Sequence, residues 1–505
     1  MTAPQRCDLL RARRLGVDTY REPVVFLRSD SPVCRAEGFR AMSRVQLSAG
    51  GRSVVATLNV VLDGIVDRCE AGLSEAAWLA LGAAEGCLVE VSHPEPVESF
   101  SAVRSKIYGC RFDTAALHAI VRDVAAGRYS SIELAAFVTA CAGKDMSMEE
   151  TLALTRAMVD TGTRLSWNQR IVLDKHCVGG LPGNRTTPIV VAIVAACGLT
   201  IPKTSSRAIT SPAGTADTME MLAPVSLTLE HMRRVVEREG GCVVWGGAMA
   251  LSPVDDILIQ IERPLNFDSE AQLAASVISK KLAAGATHLL IDLPVGPTAK
   301  VRSSGDAQAL TLLLQRLGEA VGISVRTVQT DGLQPVGRGI GPALEAADVL
   351  DVMQGRPGAP EDLRNRALLL AGTLLEMGGR SPLGMGESLA AQVLYSGDAW
   401  RKFQAICAAQ GGMRVPPVAA HRCEITAIRA GRVSAIDNRR LANLAKLAGA
   451  PLAPAAGLRL AVRGGDYVER GAPLYCLHAQ SSGELEYASA YACAHPDIIR
   501  IEETR

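Results

Sequence analysis

The chain has 505 residues, of which 48% are hydrophobic and 21% charged, and its formal net charge at pH 7 is +1. This length gives room for more than one domain, and the composition is that of a globular protein rather than a disordered one. The small net charge and the 4% of aromatic residues argue against nucleic-acid binding, which needs a basic field or stacking platforms.

The cysteines and apolar runs indicate a reducing, aqueous compartment. Thirteen cysteines are scattered, with no C-x-x-C pair and no Cys/His grouping at zinc-ligand spacing, and their odd number disfavours a disulfide framework. The N-terminal segment MTAPQRCDLL lacks the apolar core of a signal peptide, and no apolar run reaches the roughly 18 residues of a membrane span. We therefore expect a cytoplasmic protein with no metal site and no membrane or nucleic-acid partner.

Residues 1–92 predict a small N-terminal mixed β-rich domain. The clearest strands cover residues 23–27 and 53–61, which alternate or run apolar and end at turn-forming residues. Residues 73–82 have the pattern of a short helix, with Ser74 near its N-cap and glycine at its end.

Residues 93–172 predict a helical domain, which we expect to be completed by about residues 255–285. The HPEP run at its start indicates a linker. Ser147 stands three residues before Glu150 and forms a near capping box, and apolar residues follow at helical spacing.

Residues 173–420 alternate between short apolar runs and helical segments, which predicts an α/β domain with a central, mostly parallel sheet. Loops at the strand ends should form the site. The predicted strands are 171–173, 242–246, 288–294 and 323–328, the predicted helices are 188–197 and 269–282, and 258–262 is either a strand or an extended segment.

Residues 421–505 predict a C-terminal α+β domain with short strands at 423–428, 431–433 and 458–462. Residues 465–475 resemble a turn of a lipoyl-like barrel but lack the lysine that would carry the lipoyl group, so we interpret them as structural. The whole chain is thus an α/β multidomain protein.

Two glycine- and hydroxyl-rich loops flank the helix predicted at 188–197. The first covers residues 175–187 (KHCVGGLPGNRTT) and the second covers 203–215 (KTSSRAITSPAGT). Glycine lets backbone N–H groups approach an anion, and a helix N-terminus attracts it. Neither the P-loop pattern nor G-x-G-x-x-G is present. Residue chemistry alone leaves both an anion site and an ordinary pair of turns open.

The same loops carry a family resemblance. The segment SSRAITSPAGTADTME resembles the signature of the thymidine and pyrimidine-nucleoside phosphorylases, and DKHCVGG resembles their phosphate loop. The forms GGLPGN and PKTSSRAITS, with the N-terminal extension, are similar to the long subgroup typified by archaeal AMP phosphorylase. Cys177 stands where this family usually has serine, and Ala213 stands at a frequent glycine position.

The resemblance implies roles for individual residues. Asp268 is the implied proton donor and His176 an implied catalytic residue, although residue chemistry alone also allows Asp268 as a helix N-cap and His176 as a structural histidine. Lys280 faces the base or phosphate, or is solvated. The implied phosphate and substrate contacts are Lys175, Gly180, Thr187, Ser205, Ser206, Arg207, Ala208, Ile209, Thr210, Ser211, Thr215, Ser276 and Lys300.

The activity that the resemblance implies is a pentosyl transfer to inorganic phosphate, which is a co-substrate, with no cofactor. The expected substrate is a nucleoside 5′-monophosphate such as AMP, CMP or UMP, giving free base and ribose 1,5-bisphosphate. The alternatives are a thymidine phosphorylase giving thymine and 2-deoxyribose 1-phosphate, a non-catalytic nucleotide-binding protein, and a phosphoribosyl pyrophosphate transferase, whose magnesium-binding acidic pattern is not evident. A homodimer or larger homo-oligomer is expected.

Overall fold

The computed structural model describes residues 9–20, 22–62, 64–142, 146–208, 211–249, 251–265 and 269–502. The chain divides into two compact units, Met1–Ala140 and Cys141–Arg505. The finer domain boundaries expected from the sequence stay predictions. Within the described part of the chain, no helix has both the length and the apolarity needed to cross a bilayer.

The first unit begins with a closed six-stranded barrel. Its elements are β1 (Leu9–Arg14), β2 (Val24–Arg28), α1 (Pro32–Glu37), β3 (Arg44–Ala49), β4 (Arg52–Val61), β5 (Glu70–Leu73), α2 (Glu75–Leu81) and β6 (Leu88–Ser92). The strand order is β1-β5-β2-β4-β3-β6. Alternate residues of β3, such as Val45 and Leu47, are fully buried in the barrel core. The predicted cap of α2 is confirmed, since Ser74 Oγ accepts a hydrogen bond from Ala77 N at 3.2 Å.

Helices complete the first unit and open the second. They are α3 (Phe100–Ile107) and α4 (Thr114–Ala125) in the first unit, and α5 (Ser131–Ala142), which runs across the boundary between the units. In the second unit, α6 (Met148–Asp160) starts with the predicted capping box, in which Ser147 and Glu150 bond to each other's backbone. The helical interpretation of this part of the sequence is therefore confirmed.

A parallel sheet forms the centre of the second unit. Its strands are β7 (Leu173–Cys177), β8 (Ile201–Ser205), β9 (Gly241–Trp245), β10 (His288–Val295) and β11 (Ser324–Asp331). The ladders β11-β10-β7 and β8-β9 are parallel, and a bridge between Val172 and Thr200 links them. Carboxyl ends of parallel strands share one edge of a sheet, so both glycine-rich loops leave from the same edge.

Helices surround this sheet. The most buried is α7 (Thr187–Ala196), which is covered along nearly its whole length because almost every side chain in it is apolar. The others are α8 (Thr215–Glu220), α9 (Leu229–Glu239), α10 (Pro253–Leu265), α11 (Glu270–Ala283), α12 (Ser304–Val321), α13 (Pro342–Met353), α14 (Glu361–Met377), α15 (Gly386–Tyr395) and α16 (Asp398–Ala409), with a 3-10 turn at Gly246–Met249.

Two predicted strands differ from the observed elements. Residues 258–262 belong to α10, so the strand or extended interpretation is wrong; Val254 and Leu258 are buried at helical spacing. The strand expected to end at Asp174 instead runs on to Cys177. This strand includes the polar residues Asp174 and Lys175 because Asp174 pairs with Lys281 and Lys203, and Lys175 bonds to Thr186, all in buried positions.

The end of the chain forms two small antiparallel sheets with helices. The elements are β12 (Gly339–Ile340), β13 (His421–Thr426), β14 (Gly431–Ile436), α17 (Asn438–Leu447), β15 (Gly457–Leu460), β16 (Tyr467–Val468), β17 (Pro473–Ala479), α18 (Ser482–Ala494) and β18 (Ile499–Glu502). The strand orders are β12-β15-β17-β13 and β16-β14-β18. This part of the chain thus contains both strands and helices.

Candidate active site

Lys175 is a buried cation next to the start of α7. Its side chain is 2% exposed, and its Nζ donates a hydrogen bond to Thr186 Oγ1 at 2.7 Å. Burial lowers the pKa of Lys175, while the negative charge of Asp292 opposes this effect. Thr186 is the N-cap residue of α7, and Thr187 is its first helical residue. An anion held by Lys175 would therefore also meet the positive end of the helix dipole.

The thiol of Cys177 lies in the same loop and is not ionised. Burial, followed by the charge of Asp292, raises the pKa of Cys177 to about 12. Its Sγ accepts a hydrogen bond from Asn184 Nδ2 at 3.3 Å. At neutral pH the group is thus a weak S–H donor at the position where the family usually has a hydroxyl.

Gly180 brings the first loop against the loop that follows β10. Its φ is +83°, and a Cβ at this position would lie 2.5 Å from Lys300 N. Only glycine fits both the backbone conformation and this approach. Gly180 and Lys300, which the family resemblance implied as substrate contacts, are therefore neighbours, and the Lys300 side chain is exposed beside the first loop.

Lys280 of α11 and Lys300 both act on the carboxyl group of Glu262. Lys280 Nζ bonds to the buried Asp255 Oδ2 at 2.6 Å, so Lys280 is paired rather than freely solvated. Burial and the charge of Asp255 raise the pKa of Glu262, and the charges of Lys300 and Lys280 oppose this. The half-buried Ser276 precedes Lys280 by about one helical turn.

The second loop begins with a buried serine hydroxyl and is held by Arg185. Ser205, at the end of β8, has a buried Oγ without a hydrogen-bond partner in the described residues. Arg185 donates to Thr215 Oγ1 at 2.8 Å and to Ala213 O at 3.0 Å, while its Nε pairs with Glu345 Oε2 at 2.7 Å. One guanidinium from the first loop thereby fixes the second loop at the start of α8.

Arg207 is anchored within the second loop. It donates to Glu220 Oε2 at 2.6 Å and to Asp217 Oδ1 at 3.1 Å, and its guanidinium carbon lies 4.8 Å from the centre of the Trp245 ring. Asp217 also accepts from Ala208 N at 2.6 Å. These contacts give Arg207 a role in holding the loop, and its proposed contact with substrate stays a prediction.

Of the remaining predicted contacts in this loop, the structure describes Ser206 and Ser211. Ser206 is exposed to solvent, and Ser211 Oγ donates to Ala213 O at 2.9 Å. Ile209, Thr210 and Asp268 lie outside the described residues, so their assignments stay predictions. The N-cap of α11 is Ser269, whose Oγ accepts from Gln272 N at 3.3 Å. The capping function that the alternative interpretation gave to Asp268 therefore belongs to Ser269.

His176 is half-buried in a strongly cationic environment. Burial, and then the charges of Lys281, Lys203, Lys280 and Lys175, lower the pKa of His176 well below its usual value. Its imidazole is therefore neutral at physiological pH and can donate or accept a hydrogen bond without adding charge.

Asp174 compensates two of these lysines from inside the sheet. Its carboxylate lies 2.9 Å from Lys281 Nζ and 3.4 Å from Lys203 Nζ, and all three side chains are nearly inaccessible to solvent.

Four residues of the site were not assigned from the sequence. Asn184, Arg185 and Thr186 stand in the first loop, where their polar character was the only available signal. Asp292 interrupts the apolar run of residues 289–295 in β10, and this isolated acid was the signal that could have been used. Together with the predicted residues they form a cradle of cations, hydroxyls and a helix N-terminus that is suited to a phosphate group.

Comparison with known proteins identifies matching domains. Residues 101–162 match the description "Glycosyl transferase family, helical bundle domain", residues 169–400 match "Glycosyl transferase family, a/b domain", and residues 432–495 match "Pyrimidine nucleoside phosphorylase C-terminal domain". The last two ranges contain the parallel sheet with both loops and most of the C-terminal sheets.

Relatives extend the similarity over nearly the whole chain. A protein of Polaromonas sp. named "Putative thymidine phosphorylase" is 62% identical over 494 residues, which cover 98% of this chain and 97% of the relative. A protein of Acidovorax sp. named "Putative thymidine phosphorylase 1" is also 62% identical, with the same coverage.

Similarity to a solved structure concerns the fold only. Anthranilate phosphoribosyltransferase from Thermus thermophilus superposes with a TM-score of 0.51 at 22% identity, covering 61% of this chain and 99% of that chain. The loops, the domain matches and the full-length relatives lead to one conclusion: the chain is a pentosyltransferase that belongs to the thymidine and pyrimidine-nucleoside phosphorylase family.

Proposed function

We propose that the protein cleaves the N-glycosidic bond of a nucleoside 5′-monophosphate with inorganic phosphate, releasing the base and ribose 1,5-bisphosphate. The substrates would be AMP, CMP or UMP. The observation that carries this choice is the presence of two cationic positions, one within the first glycine-rich loop and one on the loop packed against it. Lys175 lies at the N-terminus of α7, and Lys300 is exposed on the neighbouring loop that contacts Gly180.

Two cationic positions match a reaction with two anionic reactants. Inorganic phosphate needs one of them, and the buried Lys175 would bind it together with Thr186 and Thr187 at the start of α7. Ser205 Oγ, which has no hydrogen-bond partner among the described residues, would add a donor. The 5′-phosphate of a nucleotide would then use the exposed Lys300. A nucleoside has no charged group to place there.

The proposed chemistry needs a nucleophile, an aligned sugar and a proton. A phosphate oxygen forms a bond to C1′ while the C1′–N bond breaks, and the bonding electrons leave with the base. Asp268 would donate the proton that the departing base takes up. Holding both reactants in one crevice removes much of the entropic part of the barrier, and the neutral His176 can orient a ligand oxygen without attracting a further anion.

A thymidine phosphorylase is the second candidate, because the relatives from Polaromonas sp. and Acidovorax sp. carry that name. In that case thymidine gives thymine and 2-deoxyribose 1-phosphate, and Lys300 would contact sugar or base.

One experiment separates the two. Base release is measured by chromatography for AMP, CMP, UMP, uridine and thymidine, each with and without inorganic phosphate, and the values of kcat/KM are compared. The proposal requires phosphate-dependent release that is fastest for a monophosphate. A higher kcat/KM for thymidine than for every monophosphate would replace it with the second candidate, and no phosphate-dependent release from any substrate would contradict both.

Compartment and assembly complete the proposal. The twelve cysteines within the described residues are all free thiols, which supports a reducing cytoplasm. A homodimer or larger homo-oligomer remains part of the proposal, and the mass of the particle in solution tests it.

A further inference from the structure

We propose that Asp292 is a positioning residue of the first glycine-rich loop: its buried carboxylate ties this loop to the neighbouring strand β11. The effect on turnover rests on the proposed phosphorolysis, whereas the effect on phosphate binding can be measured without any nucleoside. Asp292 itself is fully buried and has no exposed atom with which to bind a substrate from solution.

The carboxylate joins three parallel strands at the edge where the loops leave. In the ladder between β10 and β7, Asp292 lies opposite Cys177. Its Oδ1 accepts a hydrogen bond from Thr330 Oγ1, near the end of β11, at 2.6 Å. Its Oδ2 accepts one from Asn184 Nδ2 at 3.2 Å. One side chain therefore connects both neighbouring strands with the phosphate loop.

The loop needs these connections because its backbone is built from residues with few constraints. Gly179, Gly180 and Gly183 all have positive φ, and Asn184 itself has a φ of +57°. Glycine in such positions gives a loop many alternative conformations when it is not held by contacts. The backbone of Asp292 also takes part, since its carbonyl accepts from Val178 N at 3.1 Å. Both ends of the glycine-rich segment are thus tied to one residue.

The negative charge of Asp292 has a second effect on Lys175. The groups with the largest effect on this ammonium are Asp292 in β10, Cys177 in β7, Arg185 in the loop and Arg366 in α14, and Lys203 in β8 and His176 in β7 also interact with it. The two arginines and burial favour loss of the proton, and the neutral thiol contributes no charge at physiological pH. Asp292 is therefore the carboxylate that opposes the lowering of the Lys175 pKa.

The test is Asp292→Asn, which keeps the shape and removes the charge. Phosphate affinity is measured by calorimetry from pH 6 to 10 without nucleoside, and KM is measured for phosphate and for the best nucleoside or nucleotide. We expect phosphate affinity to fall by about 10- to 100-fold, the loss typical of a charge-assisted contact. Because the variant lowers the pKa of Lys175 further, binding should also be lost at a lower pH than in the parent protein.

Two further variants separate positioning from a general loss of structure. Asn184→Ala cuts the loop from Asp292 but keeps the charge, so phosphate affinity should fall without any shift of the alkaline limit. Asp348→Asn removes another buried carboxylate, one that accepts from Arg338 N and Gly339 N far from Lys175 in the sequence. It should lower stability and leave the alkaline limit of phosphate binding unchanged.

The outcomes are distinct. Asp292→Asn with an unshifted alkaline limit and equal increases in both KM values would overturn the proposal, because a merely structural acid would behave in this way. If that variant does not fold, normal phosphate affinity in Asn184→Ala overturns the positioning role. Intact phosphate binding without turnover of any substrate would contradict the proposed function and leave this inference standing.

Discussion

Replacing Lys175 with alanine tests the phosphate cradle most directly. The variant removes the ammonium that donates to Thr186 Oγ1 and leaves Asp292 without its neighbouring cation. A hydrogen bond to a charged group contributes about 1.5–3 kcal/mol. At about 1.4 kcal/mol for each factor of ten, phosphate affinity should fall by about 10- to 150-fold.

The assay compares phosphate and nucleoside saturation in the same protein. KM for phosphate should rise by the same factor as the dissociation constant from calorimetry, whereas KM for the nucleoside or nucleotide should change far less. Lys402→Ala is the matched control. Lys402 lies on α16, outside both loops, and its Nζ pairs with Glu239 of α9 at 3.1 Å. It should retain the phosphate affinity of the parent protein.

Stability has to be measured alongside. The thermal midpoint of the Lys175→Ala variant, with and without phosphate, shows whether a weaker affinity comes from the site or from partial unfolding. A folded Lys175→Ala protein with normal phosphate saturation would refute the assignment of the cradle, and so would an equal loss in Lys402→Ala.

Four more predictions test individual side chains. Cys177→Ser should retain or increase turnover because it restores a hydroxyl. Iodoacetamide at pH 8 should leave Cys177 of the parent protein unmodified, since its raised pKa keeps the thiol protonated. Peptide mass mapping that finds Cys177 labelled would contradict this expectation. Asp268→Asn should lower kcat by about 10²–10⁴ with nearly unchanged stability, the range for general acid catalysis; a near-normal kcat would remove Asp268 from the mechanism. Lys300→Ala should raise KM more for monophosphates than for nucleosides, and equal increases would remove the case for 5′-phosphate recognition by this lysine. Because the folded-state pKa of His176 is depressed, unfolding takes up a proton below about pH 6.5, and stability falls as the pH drops through that value. Urea titrations at several pH values should show a smaller fall in the free energy of unfolding for His176→Gln. The same dependence of that free energy on pH in both proteins would show that the effect does not come from His176.

Elements with local causes could be predicted from the sequence. The caps at Ser74 and Ser147 need only a hydroxyl and the next turn of the helix, and both were found where expected. Residues 258–262 were misread because a short apolar run fits a strand and a buried helix equally well. Only its packing within the second unit decides between them.

Site residues with distant partners could not be predicted in this way. The strand β7 contains Asp174 because lysines from β8 and α11 reach it, and no local pattern shows that. Asp292 is separated by 108 residues from Asn184 and by 38 from Thr330, so its role exists only in the folded chain. The family motifs located the two loops but did not show which buried groups hold them.

The burial of α7 has a consequence for motion during turnover. This helix carries apolar side chains on all its faces and packs within an extensive apolar core of the second unit, so any shift along its axis would open voids around it. In the proposed phosphate site its N-terminus, with Thr186 and Thr187, would therefore be a fixed reference point. Substrate entry and product release must depend on the loops around this point, and crystals soaked with phosphate should show an unmoved α7 while loop positions change.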